Sequence, residues 1–272
     1  MLISQFMESL SNDFIIIDGV TQNFEDSKEN ISTITNQKYD LSFDQLMIIL
    51  PPQDNDSDLR LKIFNIDGSE SENCVNGIRC VARYVFDEKL VSSDQVIFSI
   101  NNELINVSKK DGNLLEVQMS NLSFESADIG LQENAPNFYE FNDSKLIFSS
   151  VSVGNPHAVI LNDDVNLNIP EAGKAIQESG YFMNGVNVGF MEIISPSEIN
   201  LRVVERGVGE TQACGSGACA ASAVGAKEGK LSNKVKVNFY QGSVEVITDL
   251  SANKVNLIGD SNYRARNIPI EL

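Results

Sequence analysis

Cys74 and Cys214 stand 140 positions apart, and each comes just before a stretch that reads as a helix opening on glycine: Val75-Asn76-Gly77 in one case, Gly215-Ser216-Gly217 in the other. A thiol at a helix start meets unpaired N–H groups and the positive end of the helix dipole. These favour thiolate over thiol and also bind carboxylates. Two opposed thiols flanking one carbon suit the inversion of a stereocentre by two bases. One thiolate removes the α-proton from one face, and the opposite thiol returns a proton to the other. An unperturbed thiol pKa of ~8.5 can be tuned either way for this work. The carbanion needs electrostatic help, which two helix N-termini converging on the α-carboxylate would supply without a cofactor. The amides near Val75, Asn76, Gly215 and Ser216 are the candidates.

Positioning two such thiols requires two similar scaffolds, and the sequence repeats itself. An offset of 140 lays Lys62-Ile63-Phe64-Asn65 and the following Asp67-Gly68 turn over Arg202-Val203-Val204-Glu205 and Gly207-Val208-Gly209. Glu70 falls on Glu210 and Cys74 on Cys214. Nearby offsets pair Asn12 with Asn155, and Gln45 before Leu46-Met47-Ile48 with Asn187 before Val188-Gly189-Phe190. Strands are expected at 14–17, 43–50, 59–65, 96–100, 104–107, 114–119 and 146–153, from apolar runs and alternation bounded by turn residues. Residues 24–38 suit a surface helix, and 121–145 read as loop-rich. The helix after Cys74 is expected to bury Ile78, Val81, Ala82, Val85, Phe86 and Leu90 and to turn Arg79, Arg83, Asp87 and Glu88 outward.

The expected fold is α+β, with two pseudo-symmetric lobes, each a mostly antiparallel sheet wrapped round a central helix, and the active site in the cleft between them. Residues 1–119 would form the N-terminal lobe, with the tail 262–272 returning to it, and 120–261 the C-terminal lobe.

The chain has 272 residues and a formal net charge of −18, which argues against nucleic acid and anionic membranes as partners. No apolar run approaches the ~18 residues of a membrane helix, and no signal peptide is evident at the N-terminus. Four cysteines in a chain with a large core and no export signal point to free thiols in the cytoplasm. Their C-x5-C and C-x4-C spacings miss the C-x2-C of most structural zinc sites, so no metal is expected.

The residues also resemble a known family. Phe64-Asn65-Ile66-Asp67-Gly68-Ser69-Glu70 followed by Cys74-Val75-Asn76-Gly77-Ile78-Arg79-Cys80 looks like the first signature of diaminopimelate epimerases. Glu205-Arg206-Gly207-Val208-Gly209-Glu210-Thr211-Gln212-Ala213-Cys214-Gly215-Ser216-Gly217-Ala218-Cys219-Ala220 looks like the second. Asn12-Asp13-Phe14, Phe43-Asp44-Gln45-Leu46, Gly154-Asn155-Pro156-His157 and Val186-Asn187 fit the remaining blocks in order. The resemblance implies an isomerase of lysine and peptidoglycan precursor biosynthesis. It would interconvert LL- and meso-2,6-diaminopimelate without pyridoxal phosphate and act as a homodimer. It makes Cys74 and Cys214 the acid–base pair, with His157 and Glu205 adjusting the thiols and shuttling protons. The α-carboxylate would rest on the Val75, Asn76, Gly215 and Ser216 amides. Asn12, Gln45, Asn65, Asn155, Asn187, Glu205 and Arg206 would complete the substrate site, Arg206 suiting a carboxylate gripped at two points.

Three departures from the family pattern stand out. Glu8-Ser9-Leu10-Ser11 replaces His-Gly-x-Gly, Val75 replaces Gly, and Gly259-Asp260-Ser261 replaces Gly-Pro-Ala. They keep a second enzyme reading open, the same fold acting on another amino acid. A third reading treats Cys74 and Cys214 as core residues, or as part of a thiol or metal-binding protein without activity. Cys80 and Cys219, inside the helices, read as core.

Overall fold

In the computed structural model, residues 2–71, 74–101, 103–119, 121–142, 144–164 and 166–272 are described. Glu72 and Asn73, inside the repeat, and Ser120, where the second lobe is expected to begin, lie outside the described residues. The first half runs β1 (Leu2–Ser9), β2 (Asn12–Asp18), α1 (Lys28–Asn36), β3 (Gln45–Leu50), β4 (Leu59–Asn65), α2 (Val75–Asp87), β5 (Gln95–Ile100), β6 (Glu103–Lys109) and β7 (Leu114–Met119). The stretch expected to be loop-rich carries three short elements, β8 (Leu122–Ser123), α3 (Ser126–Ile129) and β9 (Phe138–Phe141). The second half runs β10 (Ser144–Val153), β11 (Pro156–Leu161), α4 (Ile169–Gln177), β12 (Asn187–Ser195), β13 (Glu198–Glu205), β14 (Gly209–Thr211), α5 (Gly215–Lys227), β15 (Lys234–Asn238), β16 (Ser243–Asp249), β17 (Lys254–Asp260) and β18 (Asn262–Ile270).

The chain forms two compact units, Met1–Val117 with Ile258–Leu272, and Gln118–Leu257. Their strand ladders repeat. In the first unit β1–β2, β3–β4 and β5–β6 pair antiparallel, while β2–β3 and β4–β5 pair parallel. In the second, β10–β11, β12–β13 and β15–β16 are antiparallel, while β11–β12 and β13–β15 are parallel. Register repeats with them. Phe14 lies opposite Gln45 as His157 lies opposite Asn187, and Leu46 opposite Phe64 as Val188 opposite Val204. Phe64 bridges Glu70 as Val204 pairs with Glu210. Strand β18 pairs antiparallel with β1, Leu2 opposite Ile270.

The parallel strands β2 and β3 are apolar on both faces, as buried parallel strands tend to be. Strand β4 alternates between buried and half-buried positions, so one of its faces is wetter. Helices α2 and α5 are each 13 residues long with ten of them buried, and each packs on strands of its own unit. Glycine lets their first turns settle. A Cβ on Gly77 would lie 2.6 Å from the Met47 Cε and 2.9 Å from the Phe14 Cε1, and one on Gly217 would lie 2.9 Å from the Val203 Cγ2. Helix α4 has no counterpart among the elements read from sequence, because Asn168-Ile169-Pro170 resembles a loop. Proline is tolerated there in the first turn, and Ala172, Gly173 and Ile176 join Val204 in the second unit's core.

One expectation about α2 is corrected. Arg79 does not point outward. Its side chain is fully buried, the largest such side chain among the described residues. Helical periodicity assigns it to the polar face, but β1 and the segment at 260–261 close over that face and offer oxygen acceptors.

Candidate active site

In the second unit three neighbouring strands bring His157, Asn187 and Glu205 side by side at the ends of β11, β12 and β13. The β13–β14 turn then leads to Cys214, which caps the N-terminus of α5. The Cys214 thiol donates to the Glu205 Oε2 at 3.2 Å, and the Thr211 hydroxyl donates to the Oε1 at 2.5 Å, so both carboxylate oxygens are held. The Ser216 Oγ lies 3.5 Å from the Cys214 Sγ and 3.2 Å from the His157 Nε2, which is also 3.1 Å from the Asn155 Oδ1. The Asn155 Nδ2 donates to the Ser216 Oγ at 3.5 Å.

Burial first, and then the Glu205 carboxylate, push the Cys214 thiol well above its ordinary range, while the Ser216 hydroxyl and the Gly217 amide pull the other way. The resting Cys214 is therefore a thiol. Desolvation and an adjacent anion outweigh the helix dipole at this thiol. Burial, helped by the Arg206 guanidinium, lowers His157 to about 3, which leaves the imidazole neutral at physiological pH. The His157 Nδ1 is buried without a hydrogen-bond partner among the described residues. Arg206 is exposed; its amide donates to the Asn187 Oδ1 at 2.8 Å and its Nη1 to the Asn184 carbonyl at 2.6 Å.

The first unit builds a corresponding group with different chemistry. Cys74 caps α2 and is half-buried, and none of the four cysteines is in a disulfide. Val75 and Asn76 open the helix as Gly215 and Ser216 open α5. The Gln45 Nε2 donates to the Asn65 Oδ1 at 3.0 Å, and the Asn65 Nδ2 donates to the Ser69 Oγ at 3.0 Å. Asn12 lies at the foot of a tight β1–β2 hairpin turned by Leu10 and Ser11, both left-handed at φ 49° and 63°. The Asn76 Nδ2 donates to the Asn12 Oδ1 at 2.8 Å, and the Arg79 Nη2 donates to the Asn76 Oδ1 at 3.0 Å and the Ser9 Oγ at 2.6 Å. The stretches 8–11 and 259–261, which depart from the family pattern, thus both reach Arg79: Ser9 accepts from its guanidinium, and the Ser261 hydroxyl donates to its backbone carbonyl at 3.4 Å.

Every residue expected at the site therefore falls into one of two groups. Asn12, Gln45, Asn65, Cys74, Val75 and Asn76 belong to the first unit, and Asn155, His157, Asn187, Glu205, Arg206, Cys214, Gly215 and Ser216 to the second. Three side chains escaped the sequence reading. Thr211 is legible only once β14 is known to pair with β13. For Ser216 only the backbone amide was considered, although a hydroxyl two residues after the cysteine, in the first helical turn, was signal enough. Arg79 carried the wrong periodicity. Among the described residues, no cluster of three or more His, Cys, Asp or Glu is placed to hold a metal ion, and no helix is long and apolar enough to cross a membrane.

Comparison with known proteins places the chain in a family. The family model described as diaminopimelate epimerase matches residues 6–125 and 149–262. A diaminopimelate epimerase of Blochmanniella pennsylvanica (strain BPEN) is 39% identical over 261 residues, covering 94% of this chain and 95% of that protein. Among solved structures, a hydroxyproline epimerase from Agrobacterium vitis matches with a TM-score of 0.70 at 12% identity, over 97% of this chain and 91% of that one. A phenazine biosynthesis protein of the PhzF family from Bacillus anthracis matches with a TM-score of 0.68 at 13% identity, over 100% and 99%. Likeness at these identities is likeness of fold.

Proposed function

The chain belongs to the diaminopimelate epimerase family, and on that premise we propose that it interconverts LL- and meso-2,6-diaminopimelate by two-base proton transfer between Cys74 and Cys214. The observation that carries this reading is the matched placement of a thiol at the head of a buried helix in each repeat, one of them hydrogen-bonded to a carboxylate. In one direction the Cys74 thiolate takes the α-proton and the Cys214 S–H delivers its own proton to the opposite face. In the other direction the roles exchange from the state the first leaves behind: the Cys214 thiolate takes the α-proton and the Cys74 S–H delivers its own, while Glu205 beside the Cys214 sulfur relays protons to and from it. One proton leaves the carbon and one arrives, so the steps balance without a redox partner or cofactor.

The carbanion is held by electrostatics. The α-carboxylate rests on the Val75, Asn76, Gly215 and Ser216 amides at the two helix starts, where dipoles and N–H groups oppose developing charge. Arg206, with Gln45, Asn65, Asn155 and Asn187, holds the remote end of the substrate, and Asn12 completes the site. Neutral His157 keeps Ser216 oriented toward Cys214. The enzyme works in the cytoplasm, where its thiols stay reduced, and as a homodimer.

Turnover of LL-diaminopimelate in deuterium oxide, read by chirality and mass, tests the reading. The epimerised product must carry solvent deuterium at the α-carbon, and Cys74→Ala and Cys214→Ala must each lower the rate by about 10³-fold or more. Inertness toward LL-diaminopimelate alongside turnover of another amino acid would move the reading to a different substrate. A single alanine variant with near-normal rate would end the two-base assignment.

A further inference from the structure

We propose that Arg79 sets the polarity with which Asn12 meets the substrate, so that Asn12 offers an amide N–H to a carboxylate rather than an oxygen to an ammonium. This rests on Asn12 being a substrate contact.

The reasoning starts from what a guanidinium can do. Arginine has donors and no acceptor, so whichever Asn76 atom faces the Arg79 Nη2 at 3.0 Å must be the oxygen. Asn76 then has only its NH2 left to turn toward Asn12, and the atom 2.8 Å away must be the Asn12 oxygen. With that oxygen committed inward, the Asn12 Nδ2 faces out. One of its protons reaches the Asp44 Oδ2 at 3.3 Å, and the other is available to a ligand. Flipping either amide would set donor against donor.

Two further observations make the chain of bonds rigid. Arg79 is fully buried and Asn76 is 3% exposed, so water does not compete for the bond between them. The Ser9 hydroxyl donates to the Asp260 carbonyl at 2.8 Å, which leaves its oxygen to accept from the Arg79 Nη2 at 2.6 Å. Ser9 and Asn12 lie directly opposite each other in the β1–β2 hairpin, so both ends of that closing pair are tied to α2. The second unit has no arginine at the matched place. At the positions corresponding to Asn12, Asn76 and Arg79 it carries Asn155, Ser216 and Cys219, and the Asn155 oxygen faces the His157 ring instead. Arg79 is thus a positioning residue of the first unit alone.

The test exploits the sign of the effect. Asn12→Asp keeps the shape and the oxygen facing Asn76 but turns an anionic acceptor outward. If Asn12 donates to a carboxylate, Asn12→Asp raises the KM for diaminopimelate at least tenfold above that of Asn12→Ala. An Asp variant that binds as well as the Ala variant, or better, overturns the proposal, because an ammonium would welcome the charge. A second pair separates polarity from packing. Arg79→Lys can only donate, whereas Arg79→Gln can donate or accept. The proposal expects Lys to recover most of the lost affinity and Gln to approach the Asn12→Ala KM, with both lowering Tm. Equal KM values for the two would reduce Arg79 to a structural role and overturn it. If Arg79→Gln does not fold, the Asn12 pair decides alone. Wild-type protein inert toward diaminopimelate would sink the functional reading rather than this one. The polarity would then be decided by exchange of the side-chain amide protons in 15N-labelled protein. Slow exchange at Asn76 that is lost in Arg79→Lys and Arg79→Gln alike, or fast exchange at Asn76 in the wild type, overturns it. Slow exchange retained with Lys and lost with Gln supports it.

Discussion

The two units share one ladder and differ at three matched positions of it. Where the first unit has Phe14, Gln45 and Asn65, the second has His157, Asn187 and Glu205 in the same register. Only the second unit's trio contains ionisable side chains. The repeat decides where each thiol sits, and Glu205, one of these substitutions, adds to burial in holding Cys214 as a thiol. Cys214 donates to a carboxylate and is pushed toward the thiol form, while the matched positions of the first unit carry neutral amides and a phenyl ring. The sharpest way to break this comparison is to neutralise the second unit. Glu205→Gln is expected to lower kcat by about 100-fold or more, the range of a lost general base. The Cys214 pKa should fall at the same time, because an anion that opposed the thiolate is gone; a thiolate absorbance titration reads this. Asn65→Ser, at the matched position, should act mainly on KM and by about tenfold at most. A reversed order, with Asn65→Ser the worse for kcat, would mean that the asymmetry in charge does not divide the work.

His157→Phe copies the first unit's residue into the second and probes the same asymmetry through stability. The folded pKa is lowered to about 3 from an ordinary 6.5. Between those values the unfolded chain binds a proton that the folded chain refuses, so stability rises with pH across that window and falls as pH drops below 6.5. From pH 7 to pH 5 the wild type should lose about 2 kcal/mol through this group alone. Denaturant unfolding at the two pH values should show His157→Phe less sensitive by about that amount, whatever its absolute stability. Equal sensitivity in both proteins would show that the imidazole is not held neutral.

Much of this was legible from the chain, and what was hidden has a physical reason. Strands β2 to β4, helices α2 and α5, and both cysteine positions follow from apolar runs, glycine turns and the repeat, because local pattern and register carry them. Helix α4 was hidden by its N-terminal proline. Arg79 was hidden because burial of a charged side chain depends on acceptors brought from residues 9 and 260, distant in sequence. The resting state of Cys214 was hidden for a similar reason. Helix position is visible in sequence, but the desolvation and the carboxylate orientation that override it come from tertiary packing.

The smallest effect separates the units by how each helix head is seated. Gly77 and Gly217 occupy matched positions, and alanine at either gains roughly 0.5–1 kcal/mol of helix propensity. At Gly77 the new Cβ meets the end of Met47, Cε at 2.6 Å and Sδ at 3.0 Å, and the edge of Phe14 at 2.9 Å. A methionine terminus can swing aside, so Gly77→Ala should cost about 1 kcal/mol in stability, with kcat changed less than its counterpart's. At Gly217 the Cβ meets the Val203 Cγ2 at 2.9 Å and lies 3.3 Å from the Cys214 Cβ. Valine, branched at Cβ, has little rotamer freedom to yield. The first turn of α5 must move instead, carrying the Cys214 thiol off the Glu205 Oε2. Gly217→Ala should therefore cost more in kcat than in Tm, and Gly77→Ala the reverse. Measuring both quantities on both variants reads four numbers, and a Gly217→Ala enzyme with full kcat and lowered Tm would show that the thiol–carboxylate distance does not set the rate.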